Sequence, residues 1–221
     1  PPKGDPLSYP EIRLIDYWIK DCLSQESSIT DDSLDQEIKG LVENYFGLSL
    51  SQRSMVEKRP IGAASPQKLD QLRAQAYAVQ VLSDEVNYLE VRPTANWSKS
   101  NLKALADLKK HIAWLDLSNQ EISDQDLKTI ARLPNLTRLQ LQQNPITDTG
   151  IRHLTKLQHL ESLNVYGTQI SDDALELLAE CKSLRYLYLW ETAISEAAIT
   201  ALRKQRPDLN VDDGSLFKDW V

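Results

Sequence analysis

Apolar residues recur along residues 86–211 at a fixed spacing. Segments of the chain share the order apolar-x-x-apolar-x-apolar, and the central leucine returns every 24 residues from Leu115 to Leu139, Leu163 and Leu187. Successive side chains of a strand point to opposite faces, so each apolar-x-apolar triplet predicts a short strand with its apolar residues facing a core. The five clear segments begin at Val86, Ile112, Leu136, Leu160 and Leu184, and a degenerate sixth strand is predicted at Leu209–Val211.

The residues after these strands predict helices. In four segments a Ser or Thr precedes an acidic residue, which is typical of a helix N-cap and of a first turn that complements the helix dipole. Apolar residues then follow at helical spacing, as in Leu127, Ile130 and Leu133. Ser123 with Asp126 also forms a candidate capping box. The four predicted N-caps are Ser123, Thr147, Ser171 and Ser195.

One such unit cannot bury its apolar residues alone, so neighbouring units must stack. The spacing and the strand sequences resemble the leucine-rich-repeat template L-x-x-L-x-L-x-x-N/T, in a ribonuclease-inhibitor-like arrangement. This resemblance implies an α/β solenoid over residues 86–214. We expect a short horseshoe with parallel strands on its concave side and helices on its convex side.

Residues 1–60 show no such template and predict a small all-α N-terminal segment. Two amphipathic stretches, Glu11–Lys20 and Asp31–Phe46, are expected to be helices. Residues 51–64 are polar and are broken by Pro60 and Gly62, which predicts a linker.

Both ends of the repeat array are expected to be capped. Residues 61–85 predict an N-terminal capping helix that begins at Ser65-Pro66 and reaches about Val81. Residues 215–221 form a C-terminal tail that is expected to cover the other end. Its apolar residues are Leu216, Phe217 and Trp220.

The start of the chain resembles a second family. Pro1-Pro-Lys-Gly4 and Tyr9–Ile19 resemble the last stretch of a planctomycete-type cytochrome c domain, and residues 163–168 and 187–192 resemble the leucine-rich region that follows it in some bacterial membrane proteins. The haem-attachment sequence C-x-x-C-H is absent, so no cofactor is expected in this chain. The resemblance implies a fragment of a longer protein with haem c upstream. It also implies a periplasmic or other extracytoplasmic location, with the parent anchored in the inner membrane.

Composition and charge narrow the classes of function. The 221 residues carry a formal net charge of −7, which argues against nucleic acid as a partner because phosphate contacts need clustered Lys and Arg. No apolar run approaches the ~20 residues of a membrane helix, so no membrane segment is expected. His111, His153 and His159 show no metal-ligand spacing, and no nucleophile or phosphate-loop motif occurs. The sequence predicts no enzyme and no metal site.

Residues that alternate with the core leucines are predicted on the opposite, concave side of the sheet. Tyr186 and Tyr188 flank Leu187, so the two tyrosines cannot enter the core if Leu187 does. Aromatic side chains beside an arginine have the composition of a binding hot spot. We call the six candidate partner-binding residues the aromatic face: Trp114, Arg138, Tyr166, Tyr186, Tyr188 and Trp190.

Other interpretations of this face stay open at this point, and one is that it is an ordinary exposed patch. Residues 1–60, or the tail around Phe217 and Trp220, could fold over it. Arg138 could also form an ordinary surface ion pair with Asp116, which would contribute little. Tyr88 is predicted on the same side of the sheet, at the first repeat.

The preferred functional hypothesis is a non-catalytic module that binds a protein partner. Carbohydrate is the second candidate, because aromatic rings stack on sugars and Gln140, Asn164 and Asp116 offer hydrogen bonds. The third is a docking surface for the haem domain of an electron-transfer protein, which the resemblance to cytochrome c implies.

Overall fold

The computed structural model describes residues 54–214, which belong to the second of two units of the chain, Ser54–Val221. Seven strands form one sheet in the order in which they occur along the chain. The strands are β1 (Tyr77–Val81), β2 (Leu89–Pro93), β3 (Ile112–Asp116), β4 (Arg138–Gln140), β5 (Ser162–Asn164), β6 (Tyr186–Tyr188) and β7 (Asn210–Asp212). The helices are α1 (Met55–Lys58), α2 (Pro66–Ala74), a 3-10 helix (Lys99–Leu108), α3 (Asp124–Ile130), α4 (Asp148–Leu154), α5 (Asp172–Ala179) and α6 (Glu196–Gln205).

The parallel ladder predicted from the leucine spacing is confirmed. Strands β2 to β7 run parallel, and Leu115 pairs with Leu139, Leu139 with Leu163, and Leu163 with Leu187. The degenerate sixth strand is also present, because Leu187 pairs with Val211 of β7. The 26-residue step before β3 coincides with a register shift between Leu89 and Glu90. A 24-residue period therefore places equivalent residues side by side in adjacent strands.

The core lies between the sheet and the helices. The leucines of the strands are buried together with the apolar residues of the helices, such as Ile130, Ile151 and Leu178. The four predicted N-caps precede α3 to α6. The capping box is confirmed as well, since the Asp126 carboxylate accepts hydrogen bonds from the Ser123 N–H at 2.9 Å and from its hydroxyl at 2.5 Å. The α/β solenoid of leucine-rich-repeat type is thus the fold.

The predicted capping helix is wrong in its second half. Helix α2 ends at Ala74, and the chain passes through Ala76 with a φ of 60° before β1 begins. Strand β1 pairs antiparallel with β2, and Tyr77 at its start is buried. Two forces favour the strand: Tyr and Val prefer extended backbone, and the edge of β2 would otherwise be unpaired. The first repeat is therefore capped by a helix and an edge strand together.

The end of the predicted linker also differs from expectation. Residues 54–62, which we call the N-terminal strap, contain helix α1, whose Met55 and Val56 are buried. These two side chains pack against Tyr88 and Ala113 of the first repeats. Burial of these two apolar side chains stabilises the strap on the sheet.

Hydrogen bonds fix the strap along its length. The Met55 N–H donates to Oε1 of Glu161 at 2.7 Å, and the Tyr88 hydroxyl donates to the carbonyl of Arg59 at 2.7 Å. Further on, Asn87 Nδ2 donates to the carbonyl of Ile61 at 3.0 Å, and His111 Nε2 lies 3.2 Å from the carbonyl oxygen of Gly62.

The helices predicted in residues 1–60 and the capping role of the tail at 215–221 lie outside the described residues. Within residues 54–214, no helix has the length and apolarity that crossing a membrane requires.

Candidate functional site

The aromatic face lies on the side of the sheet opposite the core, as its alternation with leucine predicts. In β6 the Leu187 side chain is fully buried, whereas Tyr186 and Tyr188 on either side are half-buried. Tyr186 pairs in register with Ser162 of β5, and Tyr188 pairs with Asn164. The two tyrosines are therefore held by the backbone ladder rather than by a loop. Whether they contact a partner stays a prediction.

Tyr166 and Trp190 continue this surface beyond the ends of β5 and β6. The ladder extends to them, because Gln143 donates its N–H to the carbonyl of Tyr166 and Gly167 donates to that of Trp190. Their ring centroids are 5.0 Å apart with an interplanar angle of 32°. Gln143 Nε2 also donates to the Tyr166 hydroxyl at 3.3 Å. With 37% of its surface exposed, Trp190 presents a flat apolar area beside Tyr166.

Trp114 and Arg138 form a second contact on the face. The guanidinium carbon of Arg138 lies 4.1 Å from the centroid of the Trp114 ring, within the range of a cation–π interaction. The ion pair with Asp116, one of the open interpretations, is not formed. Instead, the Asp116 carboxylate accepts hydrogen bonds from both the N–H and the hydroxyl of Ser118. The arginine is thereby ordered by an aromatic ring and not by a carboxylate.

Arg138, in one part of the face, influences the ionisation of Tyr188 in the other part. Burial raises the pKa of Tyr188 above its ordinary value, and the Arg138 cation partly offsets this rise. Asp212 and Tyr186 add smaller upward contributions. Tyr188 is thus a neutral phenol with a hydrogen-bond donor at physiological pH.

The N-terminal strap covers the part of this sheet face that the first repeat forms. Coverage of the face by the chain itself was one of the open interpretations, and it applies to this part. Tyr88, predicted on this side of the sheet, is only 1% exposed because the strap packs over it. Trp114 packs partly against the same cluster around Met55. The sequence left coverage by residues 1–60 open but did not indicate which residues would do it, because residues 54–62 carry no repeat signal; the apolar pair Met55-Val56 was the available sign. The strap leaves Tyr88 unavailable to a partner.

A glycine supports the other end of the face. Gly214 packs against Trp190, and a Cβ added at this glycine would lie 2.5 Å from Cε3 of the indole. Gly214 also has a φ of +74°, a conformation that residues with a side chain rarely adopt. Its N–H donates to Oδ1 of Asp212 at 2.9 Å. The Asp213-Gly214 pair was the turn signal in the sequence that could have pointed to this close approach.

No metal site is formed by the described part of the chain. Across residues 54–214, no three His, Cys, Asp or Glu side chains are grouped as metal ligands would be. His111 is engaged with the strap through Gly62. The chemistry that the face offers is therefore aromatic contact area, one guanidinium and hydrogen-bonding hydroxyls.

Comparisons with known proteins support the class of fold. The family model described as leucine-rich repeat matches residues 134–194, and the chain contains a leucine-rich-repeat region. Comparison with curated proteins gives no match.

Solved structures similar to the chain include three proteins of bacteria. An internalin (inlF) from Listeria monocytogenes is 26% identical over 51% of this chain and 31% of its own, with a TM-score of 0.42. Internalin C2 from the same species is 28% identical over 54% of this chain and 52% of its own, with a TM-score of 0.40. A leucine-rich-repeat protein from Leptospira interrogans is 21% identical over 50% of this chain and 33% of its own, with a TM-score of 0.37. The chain thus spans between about a third and a half of the proteins that it resembles.

Proposed function

We propose that this chain is a non-catalytic protein–protein interaction module that binds a protein partner through the aromatic face. Leucine-rich repeats are typical of such modules. The observation that carries the proposal is the placement of Tyr186 and Tyr188 on the sheet face away from the core, on either side of the buried Leu187.

The geometry suits recognition for two physical reasons. The side chains stand on a hydrogen-bonded ladder, so binding a partner requires little further ordering of the backbone. Tyr, Trp and Arg are the residue types that contribute most to binding energy at protein interfaces. Tyr188 and Trp190 lie in one strand and its continuation, and Tyr166 contacts Trp190 from the neighbouring repeat.

Photo-crosslinking tests the proposal directly. The full chain carrying p-benzoylphenylalanine in place of Tyr186 is irradiated in an extract of the source organism, and crosslinked proteins are identified by mass spectrometry. A matched chain carries the probe in place of Lys182, an exposed residue of the turn after α5. We expect a defined protein crosslinked from position 186 only. Equal products from both positions, or none from position 186, would contradict a binding role for this face.

A double variant, Tyr188→Ala with Trp190→Ala, provides the second measurement. We expect it to lose the crosslinked product while its circular dichroism melt shifts by only a few degrees, because neither ring belongs to the core. A variant that keeps the product would remove the aromatic face from the proposal.

Carbohydrate binding stays the alternative for the same face, and the polar contacts favour it less. Of the side chains expected to bind sugar hydroxyls, Asp116 is bound to Ser118, and Asn164 Oδ1 accepts the Tyr166 N–H at 3.0 Å. These groups are already occupied within their own turns. A glycan array probed with the wild-type chain and with the double variant distinguishes the two functions: binding that depends on Tyr188 and Trp190 would favour carbohydrate.

We also propose, from the resemblance of Pro1–Gly4 and Tyr9–Ile19 to a cytochrome c domain, that the chain belongs to a larger haem protein. In this proposal the haem c lies upstream, the protein acts outside the cytoplasm with an anchor in the inner membrane, and the repeats serve as its docking part. Reading the gene upstream of Pro1 tests it. A C-x-x-C-H sequence followed by a Met just before Pro1 is expected, and an upstream sequence without them overturns it.

A further inference from the structure

Arg138 supplies a cation on the aromatic face that no carboxylate in residues 54–214 neutralises. The ion pairs among these residues involve other arginines and lysines. The Arg138 side chain is exposed, and the ring of Trp114 covers one side of its guanidinium at 4.1 Å. A guanidinium held over an aromatic ring still has N–H groups that do not contact the ring, and a carboxylate can bind to two of them at once. The stack thus orients a carboxylate-binding group in advance.

Two acidic residues of this sheet face, Asp116 and Asp212, bind groups of their own turns, and Glu90, which pairs with Trp114 across β2 and β3, forms no ion pair with Arg138. Asp116 accepts the N–H and the hydroxyl of Ser118, and Asp212 accepts the N–H of Gly214. Both carboxylates therefore satisfy backbone groups that would otherwise be unpaired. Among residues 54–214, no carboxylate is paired with Arg138, so the guanidinium can bind one from a partner.

Tyr188 adds a hydrogen-bonding group to the site around Arg138, on the side where the aromatic rings lie. Strand β5 lies between the two residues: Arg138 pairs with Ser162, and Asn164 pairs with Tyr188. Arg138 and Tyr188 are close enough to interact electrostatically, and burial keeps the phenol protonated. A chain that crosses β4, β5 and β6 would therefore meet a guanidinium, then a phenol donor, then the flat surface of Tyr166 and Trp190.

We propose that the partner of the aromatic face is an acidic protein segment, with an Asp or Glu carboxylate bound at Arg138 and Tyr188 and a neighbouring apolar side chain packed on Tyr166 and Trp190. This inference rests on the proposed function and specifies the partner's chemistry. One guanidinium and one phenol match one carboxylate, whereas a nucleic acid needs a cluster of cations.

Selection from a phage-displayed library of random 12-residue peptides tests the inference. The full chain is the bait, and the enriched peptides are synthesised with a fluorophore for anisotropy titration. We expect enrichment of Asp or Glu beside an aromatic or aliphatic residue. We also expect affinity to fall about tenfold in Arg138→Gln, the size of a charge-assisted pair on a partly desolvated surface. Arg132→Gln, a change at an exposed arginine beyond the end of α3, is the matched control and should bind as wild type does.

A double-mutant cycle makes the contact specific. Replacing the acidic residue of the peptide by its amide should weaken binding to wild type by the same factor, and should have no further effect on Arg138→Gln. Peptides that lose affinity in Tyr188→Ala with Trp190→Ala but not in Arg138→Gln would overturn the acidic partner and leave the proposed function standing. If no selected peptide depends on either variant, both fail. Sedimentation that shows self-association lost in Arg138→Gln would assign the site to a second copy of the chain and overturn the inference.

Discussion

Asp148 accepts two hydrogen bonds from Ser171, the N-cap of the next helix, at 2.8 Å from the backbone N–H and at 2.6 Å from the hydroxyl. The same pair recurs in both neighbouring repeats: Asp124 binds Thr147, and Asp172 binds Ser195. The acidic residue after each of the first three caps thus has a second role besides complementing the dipole of its own helix. It links consecutive helices through a ladder of carboxylates outside the core.

Removing one carboxylate of this ladder should destabilise the repeats. We expect Asp148→Ala to lower the free energy of unfolding by about 1–3 kcal/mol, because the N–H and the hydroxyl of Ser171 lose their acceptor. Urea denaturation followed by circular dichroism measures the change. Asp173→Ala is the control: this neighbouring acidic residue is exposed, and a change of less than about 0.5 kcal/mol is expected. Equal effects of the two variants would show that the ladder contributes nothing specific.

Gly150 allows α3 and α4 to approach each other. A Cβ at this position would lie 2.9 Å from Cδ1 of Leu127 and would collide with the carboxylate of Asp124, which binds Thr147. Alanine favours a helix over glycine by about 1 kcal/mol, but here we expect Gly150→Ala to destabilise the protein by about 1–3 kcal/mol. Gly62→Ala is the matched control, since no atom lies within 4 Å of the added methyl group. A Gly150→Ala protein as stable as wild type in thermal melts would contradict this packing argument.

Asn144 occupies the N/T position of the template and is almost fully buried. Its Oδ1 accepts the N–H groups of Gln120 and Ile122, and its Nδ2 donates to the carbonyls of Leu117 and Leu141. We expect Asn144→Ala to cost about 2–4 kcal/mol, because several buried backbone groups lose their partner at once.

Thr168 at the equivalent position of the next repeat provides the comparison. Its hydroxyl makes one hydrogen bond, to the carbonyl of Val165 at 2.6 Å. Thr168→Ala should therefore cost about 1 kcal/mol. Guanidinium denaturation of both variants shows which one loses more stability. A larger loss for Thr168→Ala than for Asn144→Ala would contradict the prediction.

The repeats could be predicted from sequence because they rest on local periodicity. The Leu-x-Leu spacing alone determines that Leu187 enters the core and that Tyr188 does not, and the structure agrees. The partners of Arg138 could not be predicted in this way. Trp114 and Asp116 lie in the same strand, and which of them binds the guanidinium depends on Ser118, whose N–H and hydroxyl engage the carboxylate.

The strap could not be predicted for a different reason. The Met55 N–H binds Glu161, a residue 106 positions away, and no periodic pattern connects them. Strand β1 illustrates the same limit, since pairing with β2 outweighs the helical spacing that extends from Leu69 and Leu72 to Val79. Contacts between distant, non-repeating segments are tertiary in origin and leave little trace in local sequence.

Acid should weaken the last pair of the carboxylate ladder. Hydrogen bonds from the N–H and hydroxyl of Ser195 lower the pKa of Asp172 below its ordinary value. The folded chain therefore binds fewer protons than the unfolded chain in the acid range. The contribution of Asp172 is complete above the unfolded pKa and is lost as the pH falls through the lower, folded pKa. We expect Asp172→Asn to show a smaller decrease in Tm than wild type between about pH 6 and about pH 3. Parallel Tm curves for the two proteins would contradict this.

Tyr88 and Tyr77 are both buried at the start of the repeats. Replacing each by Phe is expected to affect stability in opposite ways. The Tyr88 hydroxyl donates to the carbonyl of Arg59 in the strap, so Tyr88→Phe leaves that carbonyl without its partner. We expect a loss of about 1 kcal/mol that acts mainly on the strap, measured as faster amide hydrogen exchange of Met55 and Val56. Slower or unchanged exchange there would mean that the apolar contacts alone hold the strap.

Tyr77→Phe is the matched variant, because the buried Tyr77 hydroxyl lies near the Trp97 indole but forms no hydrogen bond of normal geometry within residues 54–214. Its removal should leave stability unchanged or raise it, since desolvation of that hydroxyl is no longer required. Burial raises the pKa of Tyr77 to about 12, so the folded chain holds this proton more tightly than the unfolded chain, and its stability should decline as the pH rises above about 10. Tyr77→Phe should therefore lose less stability than wild type between about pH 9 and about pH 11. Tyr88→Phe keeps Tyr77, so it should still show the loss of stability that Tyr77 causes in this range. A Tyr77→Phe protein whose alkaline denaturation matches that of wild type would show that this phenol does not control the alkaline limit.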